Sequence, residues 1–250
     1  MSNRCDTLNE RHGELSEIYD DLIASDIEEE GAVSLLQQSA PVGRTFDLGS
    51  GIRLRGPMKT VMYVEPTASA PALCLRPWRA EDTAALVTAH RDPLMRRWLI
   101  TSLVSEADAR RWIDDQRSGW DDGVRFSFAI VERDRPVGHI AVKGGVDPAG
   151  ASAEVGYWTS AETRGRGIAS RALERVSRWA LGSQHVMPLA RLDLFHAVDN
   201  HASCRVAEKC RYVLSSVLPA QPPVFPSEGH LHVRMKSMHV GGDMIPGQDF

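Results

Sequence analysis

The rhythm of hydrophobic and polar positions changes near residue 73. Upstream, residues 8–38 place Leu15, Ile18 and Leu22 on one stripe and Val33, Leu35 and Leu36 further on, a helical spacing. TFDLGSG (45–51) reads as a short strand entering a glycine turn, and TVMYVE (60–65) as another strand. PTASAPA (66–72) is a Pro/Ala/Ser break that predicts a linker at 67–72.

Downstream the pattern is regular. LCLRPWR (73–79) predicts a strand, and residues 81–92 a helix stopped by Pro93. Ser105 with Asp108 predicts a helix start, after which Ala109, Trp112, Ile113, Gln116 and Trp120 share one face of residues 106–120. VRFSFAIVER (124–133) and VGHIAVKGGV (137–146) alternate about DRP (134–136), a hairpin signal. SAEVGYW (152–158) is a strand, residues 164–181 a helix, RLDLFHAV (191–198) a strand and NHASCRVAEKC (200–210) a helix. VLSSVL (213–218) and HLHVRMKSM (230–238) are the last strands. Antiparallel strands followed by alternating strands and helices predict a mixed α/β sandwich.

Composition narrows the function classes. With 42% hydrophobic and 25% charged residues in 250, the chain has the make-up of an ordinary soluble globular protein. A net charge of −4 gives no global signal for nucleic acid or an anionic membrane. Residues 1–66 hold 6 Lys/Arg against 12 Asp/Glu, so this part is an acidic extension. Its start lacks the apolar run of a signal peptide, and no segment approaches the roughly 20 apolar residues of a membrane span. Cys5, Cys74, Cys204 and Cys210 form no CxxC pair and no metal-ligand spacing, so a reduced, cytoplasmic protein without a metal is expected.

The densest chemistry lies at TRGRGIAS (163–170), where a strand hands over to a helix. A glycine-rich turn at a helix N-terminus exposes backbone N–H groups at the positive end of the dipole, which suits phosphate. Arg164 and Arg166 add charge, and the spacing is neither GxGxxG nor GxxxxGK[ST]. The helix puts Ile168, Ala172, Val176 and Trp179 toward a core. Arg171, Arg175 and Arg178 form a second stripe, either a solvated face or a reach toward a ribose phosphate.

AEVGYWTSAETRGRGIASRAL (153–173), VDNHASCRVAEKCRY (198–212) and LRPWRAEDTAAL (75–86) resemble, in order and spacing, three motifs of the GNAT acetyltransferase superfamily, in particular its branch similar to ribosomal-protein N-acetyltransferases. The resemblance covers roughly residues 73–238. It implies a mixed, mostly antiparallel sheet with splayed central parallel strands flanked by helices, a domain at 73–240 and a tail at 241–250. It implies acetyl-CoA as co-substrate, its pyrophosphate on Arg164, Gly165, Arg166, Gly167, Ile168 and Ala169. The pantetheine arm would lie along Tyr157, Trp158 and Thr159, with Asn200 and Ser203 beyond the opposite strand. The acceptor is a primary amine, on a protein N-terminus or a small molecule, with Trp98, Trp112 and Trp120 candidate walls of its cleft. Two positions depart from the pattern. The usual Tyr before Glu-Lys is Ala207, and the usual Gly before the final aromatic is Arg211, which predicts a different conformation at that helix end.

Amine attack needs a proton acceptor, an oxyanion donor and a proton for the departing sulfur. Alternation puts Glu154, Gly156 and Trp158 on one strand face and Ala153, Val155 and Tyr157 on the other. Glu154 is either the base or one half of a surface ion pair, and His139 and His196 are secondary candidates. The oxyanion donor is expected at a strand bulge around Val155–Tyr157. Ser203 is the candidate acid, or else a helix-start residue, and Cys204 reads as a small buried residue. Ala207 also leaves open a non-catalytic acyl-CoA-binding or scaffold module. Finally, residues 17–65 resemble the opening of class I S-adenosylmethionine-dependent methyltransferases through Asp47, Gly49, Gly51 and Glu65. The pattern stops after one βαβ unit, so residues 1–66 read either as a vestigial fragment without that activity or as an unrelated acidic extension that matches by chance.

Overall fold

A computed structural model describes residues 60–99, 101–144, 151–223 and 225–237. The expected helix at 8–38, the DLGSG turn and the tail lie outside these residues. The strands are β1 (Met62–Val64), β2 (Leu73–Pro77), β3 (Arg125–Glu132), β4 (Arg135–Gly144), β5 (Ser152–Thr159), β6 (Arg191–Ala197), β7 (Val213–Leu218) and β8 (Gly229–Met235). The helices are α1 (Thr83–His90), α2 (Pro93–Trp98), α3 (Glu106–Asp121), α4 (Ile168–Arg178) and α5 (His201–Lys209).

The eight strands form one sheet in the order β1-β2-β3-β4-β5-β6-β8-β7. Every neighbouring pair is antiparallel except β5–β6. The expected mixed sheet with a central parallel pair is thus observed.

Local chemistry explains the helices. Ser105 Oγ accepts from the Asp108 N–H at 3.1 Å while Asp108 accepts from the Ser105 N–H at 3.0 Å, the reciprocal cap that starts α3. Pro93 does more than end α1: it opens α2, whose cap Asp92 accepts from the Leu94 N–H at 3.1 Å. On α4, Ile168, Ala172, Leu173 and Val176 are buried together. They pack on the sheet face that carries Phe126, Phe128, Ile140, Val142 and Val155. Burying each large apolar side chain contributes about 1.5–3 kcal/mol. The opposite face carries Ala129 and Val131 under Trp78, Leu86, Val87, Trp112 and Ile113 of the α1–α3 layer.

The boundary expected at 67–72 falls inside this sheet. β1 pairs antiparallel with β2, Tyr63 opposite Cys74, through a bridge between Thr67 and Ala70. Met62–Val64 is thus an edge strand of the described sheet. Two arginines of α4 fasten it. Arg171 donates to the carbonyls of Glu65 (2.7 Å) and Pro71 (2.8 Å), and Arg175 to that of Tyr63 (3.2 Å). Arg171 and Arg175 of the stripe therefore hold β1, while Arg178 pairs with Glu174 at 2.6 Å.

Candidate functional site

β5 and β6 pair over only three positions, Ser152 with Arg191, Ala153 with Leu192 and Glu154 with Asp193. Beyond them β5 continues against β4 as far as Thr159 opposite Gly138, and β6 continues against β8 as far as Ala197 opposite Gly229. Each strand stays anchored on its outer side, so the pair opens as a wedge. Its inner edges are the backbone of Val155–Thr159 and of Leu194–Ala197. No bulge produces these free edges, because the β4–β5 register is continuous. The expected bulge around Val155–Tyr157 is replaced by divergence of the parallel pair.

At the open end, β5 runs through a short 3-10 turn, Ala161–Thr163, into the loop 164–167 and α4. Gly165 (φ 76°) and Gly167 (φ 73°) are both left-handed. A Cβ on Gly165 would meet nothing within 4 Å, and one on Gly167 only Ser170 Oγ at 3.9 Å. Here glycine is required by backbone conformation, and the space above it is open. Arg171 N–H donates to the Gly167 carbonyl at 3.1 Å, the first helical bond. Among the described residues, the N–H groups of Gly165, Arg166, Gly167, Ile168 and Ala169 meet no backbone acceptor at good hydrogen-bond geometry. They lie at the positive end of an 11-residue helix, a geometry that fits a pyrophosphate.

The arginines of this loop are already engaged. Arg166 donates to both oxygens of Glu132, and Arg164 is bonded to Asp92. Nearby Arg97 of α2 pairs at 2.7 Å with Asp199, beside the start of α5. α2 is thus tied to both sides of the wedge. Asp92 is held below the ordinary carboxylate range: burial pushes its pKa up, but the Arg164 bond and the Leu94 N–H outweigh that.

The side chains of β5 divide as the alternation predicts. Tyr157 packs on the α4–α5 side, where its buried hydroxyl lies near Ser203 without a hydrogen bond of good geometry. Burial pushes its pKa above the ordinary phenol range. Trp158 turns to the α1–α3 face, with ring centroids 6.1 Å from Trp78, 6.0 Å from His139 and 5.9 Å from His90. Ile168 is core and offers the loop only its N–H. Asn200 caps α5, its Oδ1 accepting from the Ser203 N–H at 3.2 Å.

Glu154 sits at the last paired position of the wedge, on the α1–α3 face, and pairs at 2.6 Å with Lys143 Nζ across the β4–β5 ladder. His139 lies on that face too. Its Nδ1 accepts from Trp78 Nε1–H at 3.0 Å, and burial lowers its pKa to about 3, so it is a neutral, committed acceptor. Trp120 is no cleft wall: it is 1% exposed, stacked edge-on with Phe126 and Phe128, and donates to the Ser127 carbonyl at 3.0 Å. Trp112 lies beside Trp78 and His139, and Trp98 sits under the Arg97 guanidinium.

Arg211 keeps the left-handed conformation that glycine would supply, with φ 62°. Tyr212 N–H reaches the Ala207 carbonyl and Arg211 N–H that of Glu208, each at 3.0 Å, the usual closure of a helix end. The different conformation expected there does not occur, because the six-residue closure and the buried Tyr212 hold the turn. Tyr212 hydroxyl bonds Ser177 at 2.7 Å.

Chain spacing missed one grouping. Cys204 is not simply packed: its Sγ lies 3.7 Å from His196 Nε2 and 3.3 Å from His230 Nδ1, with His232 adjacent. Only the pairing of β6 with β8 brings these residues together.

A family model described as Acetyltransferase (GNAT) domain matches residues 72–213. The ribosomal-protein-serine acetyltransferase of Escherichia coli K12 is 28% identical over 130 residues, 49% of this chain and 70% of that protein. Among solved structures, the acetyltransferase of Salmonella typhimurium that modifies the N-terminal serine of ribosomal protein L7/L12 superposes with a TM-score of 0.58 at 18% identity. It covers 70% of this chain and 99% of its own. The microcin C7 self-immunity acetyltransferase MccE, in complex with acetyl-CoA and AMP, gives 0.56 at 17% identity over 65% of this chain and 92% of its own.

Proposed function

The chain belongs to the GNAT acetyltransferase family and is an N-acetyltransferase, and from that premise we propose that it transfers acetyl from acetyl-CoA directly to a primary amine, a protein N-terminal α-amine in first place. One observation carries the reading: a wedge between parallel strands opens directly beside a loop of two left-handed glycines whose N–H groups meet no backbone acceptor at good hydrogen-bond geometry among the described residues. The relative that acts on a ribosomal protein supports the choice of acceptor over a small-molecule amine.

The backbone N–H groups of Gly165, Arg166, Gly167, Ile168 and Ala169 hold the pyrophosphate, while Arg164 and Arg166 set the shape of the loop through Asp92 and Glu132. The free edge at Tyr157, Trp158 and Thr159 pairs with the pantetheine amides on one side, and Asn200 and Ser203 meet them on the other. Acetyl-CoA supplies the activated carbonyl and a thiolate leaving group. A backbone N–H among Val155–Tyr157 faces the developing oxyanion. Glu154 accepts the ammonium proton, directly or through water, once the acceptor displaces Lys143. Ser203 donates toward the leaving sulfur. Tyr157, held protonated by burial, stands beside Ser203 and supplies a phenol in the region from which the family's tyrosine is missing at Ala207.

Calorimetric titration of acetyl-CoA tests the cradle. Wild type binds with one-to-one stoichiometry, and Gly167→Glu, which places a carboxylate at the phosphate, does not. Equal binding by both removes the loop from the site. Mass analysis of Ser- and Ala-initiated peptides incubated with acetyl-CoA then tests the acceptor. A product heavier by one acetyl group, confined to the α-amine, supports it, and acetylation of polyamines alone replaces it.

A further inference from the structure

β6 and β8 pair with His196 opposite His230 and Leu194 opposite His232. Opposed residues of a ladder share a face, so the pleat delivers three imidazoles to one side of the sheet. α5 covers that side and lowers Cys204 onto them. The thiol sulfur is 3.3 Å from His230 Nδ1 and 3.7 Å from His196 Nε2. One ligand atom from each of the four residues lies within 4.8 Å of every other. The rings of His196 and His232 stack at 5.1 Å, and His230 crosses both at 5.4 and 5.8 Å.

Two details separate this cluster from ordinary packing. His232 is 2% exposed, and although the Tyr212 backbone lies near its ring, neither ring nitrogen has a hydrogen bond of good geometry among the described residues. A buried imidazole left so is destabilising unless something binds it. His196 is oriented as metal-binding histidines usually are. Its Nδ1 lies 2.9 Å from the Ala197 carbonyl, which fixes the Nδ1–H tautomer and leaves the Nε2 lone pair facing Cys204.

We propose that His196, Cys204, His230 and His232 bind one zinc ion as a closed site of one cysteine and three histidines. One thiolate and three neutral imidazoles match the tetrahedral N/S preference of zinc, and the set contains no carboxylate that would favour calcium or magnesium. With Zn–N near 2.0–2.1 Å and Zn–S near 2.3 Å, tetrahedral ligand atoms sit about 3.3–3.8 Å apart. The two Cys204 distances already fall there, and the remaining pairs close by rotamer adjustment. Binding converts the thiol to a zinc thiolate and releases its proton to solvent. All four coordination positions are filled by protein, so the ion is structural: it ties α5 to β6 and β8. The site adjoins Ser203 but faces β8, whereas Tyr157 lies by Ser203 from the β5 side.

The test is cobalt substitution in the metal-stripped full chain. One equivalent of Co(II) gives the intense visible bands of a tetrahedral site and a near-ultraviolet thiolate-to-cobalt band, and zinc displaces it. Cys204→Ser loses the thiolate band, and His232→Ala weakens Co(II) binding at least tenfold. Weak octahedral bands in wild type, or an unchanged thiolate band in Cys204→Ser, overturn the proposal. Should either variant unfold, X-ray absorption at the zinc edge of the wild-type chain decides. One sulfur and three nitrogens are expected, and any other shell refutes the assignment. Neither readout depends on acetyl transfer.

Discussion

Arg166 donates to both carboxylate oxygens of Glu132, at 2.8 and 2.9 Å, and so commits its charge to the end of β3. The anion-binding capacity of the loop therefore resides in its backbone. An ion pair with a half-exposed guanidinium contributes about 0–1 kcal/mol. Arg166→Ala is expected to weaken acetyl-CoA binding by no more than about fivefold. Gly167→Ala must carry a methyl at φ 73°, a strain of about 1–2 kcal/mol, and is expected to cost about tenfold. Calorimetric Kd values for the two variants decide it. A larger loss for Arg166→Ala than for Gly167→Ala would return the phosphate to the side chains.

Glu154 and Lys143 give a sharper comparison. If Glu154 is the proton acceptor, Glu154→Gln lowers kcat by about 100-fold or more while leaving the Kd for acetyl-CoA unchanged. Lys143→Met frees the carboxylate and leaves kcat within a few fold of wild type. A purely structural pair behaves otherwise, with both variants changing kcat and thermal midpoint alike. Steady-state rates with a peptide acceptor, beside a melting curve for each variant, separate the cases.

Much of the site was legible because its geometry is local. Alternation over 152–159 sorted Tyr157 from Trp158, and the glycines marked a strand-to-helix turn, since φ near +75° excludes most other residues. What escaped reading depends on partners far along the chain. Arg166 finds Glu132 and Arg164 finds Asp92, and nothing near TRGRG encodes either. The alternation of TVMYVE is the same for parallel and antiparallel neighbours, so β1 could be recognised as a strand but not placed. The divergence of β5 from β6 follows from what each pairs with on its outer side. Cys204 lies 8 residues from His196 and 26 from His230, and only the β6–β8 register makes them neighbours.

Arg211 holds a conformation that costs a side chain about 1–2 kcal/mol. Replacing it by glycine relieves that strain, while the freer unfolded chain takes back about 0.4–1 kcal/mol. Arg211→Gly is expected to stabilise the domain by about half a kcal/mol, a rise in thermal midpoint of about 2 °C. Differential scanning calorimetry at fixed pH measures it. A fall in midpoint would mean that the arginine side chain supports the helix end by contacts of its own.

His139 makes the fold sensitive to acid. Burial comes first among the causes that lower its pKa from 6.5 to about 3, with the charges of Arg125 and Lys143 adding to it. The depressed folded value means the unfolded chain binds the proton more readily. Stability from this group is therefore complete above about pH 6.5 and is lost as pH falls toward 3. The slope is about 1.4 kcal/mol per pH unit, so roughly 2 kcal/mol is gone at about pH 5. His90 is lowered by burial as well and acts in the same direction. His139→Gln keeps an acceptor for Trp78 Nε1 but cannot titrate. Urea unfolding at about pH 7.5 and about pH 5 should show a smaller stability loss in this variant than in wild type, by about 2 kcal/mol. An identical loss in the two proteins would mean that His139 charges in the folded state, against its burial and its bond from Trp78.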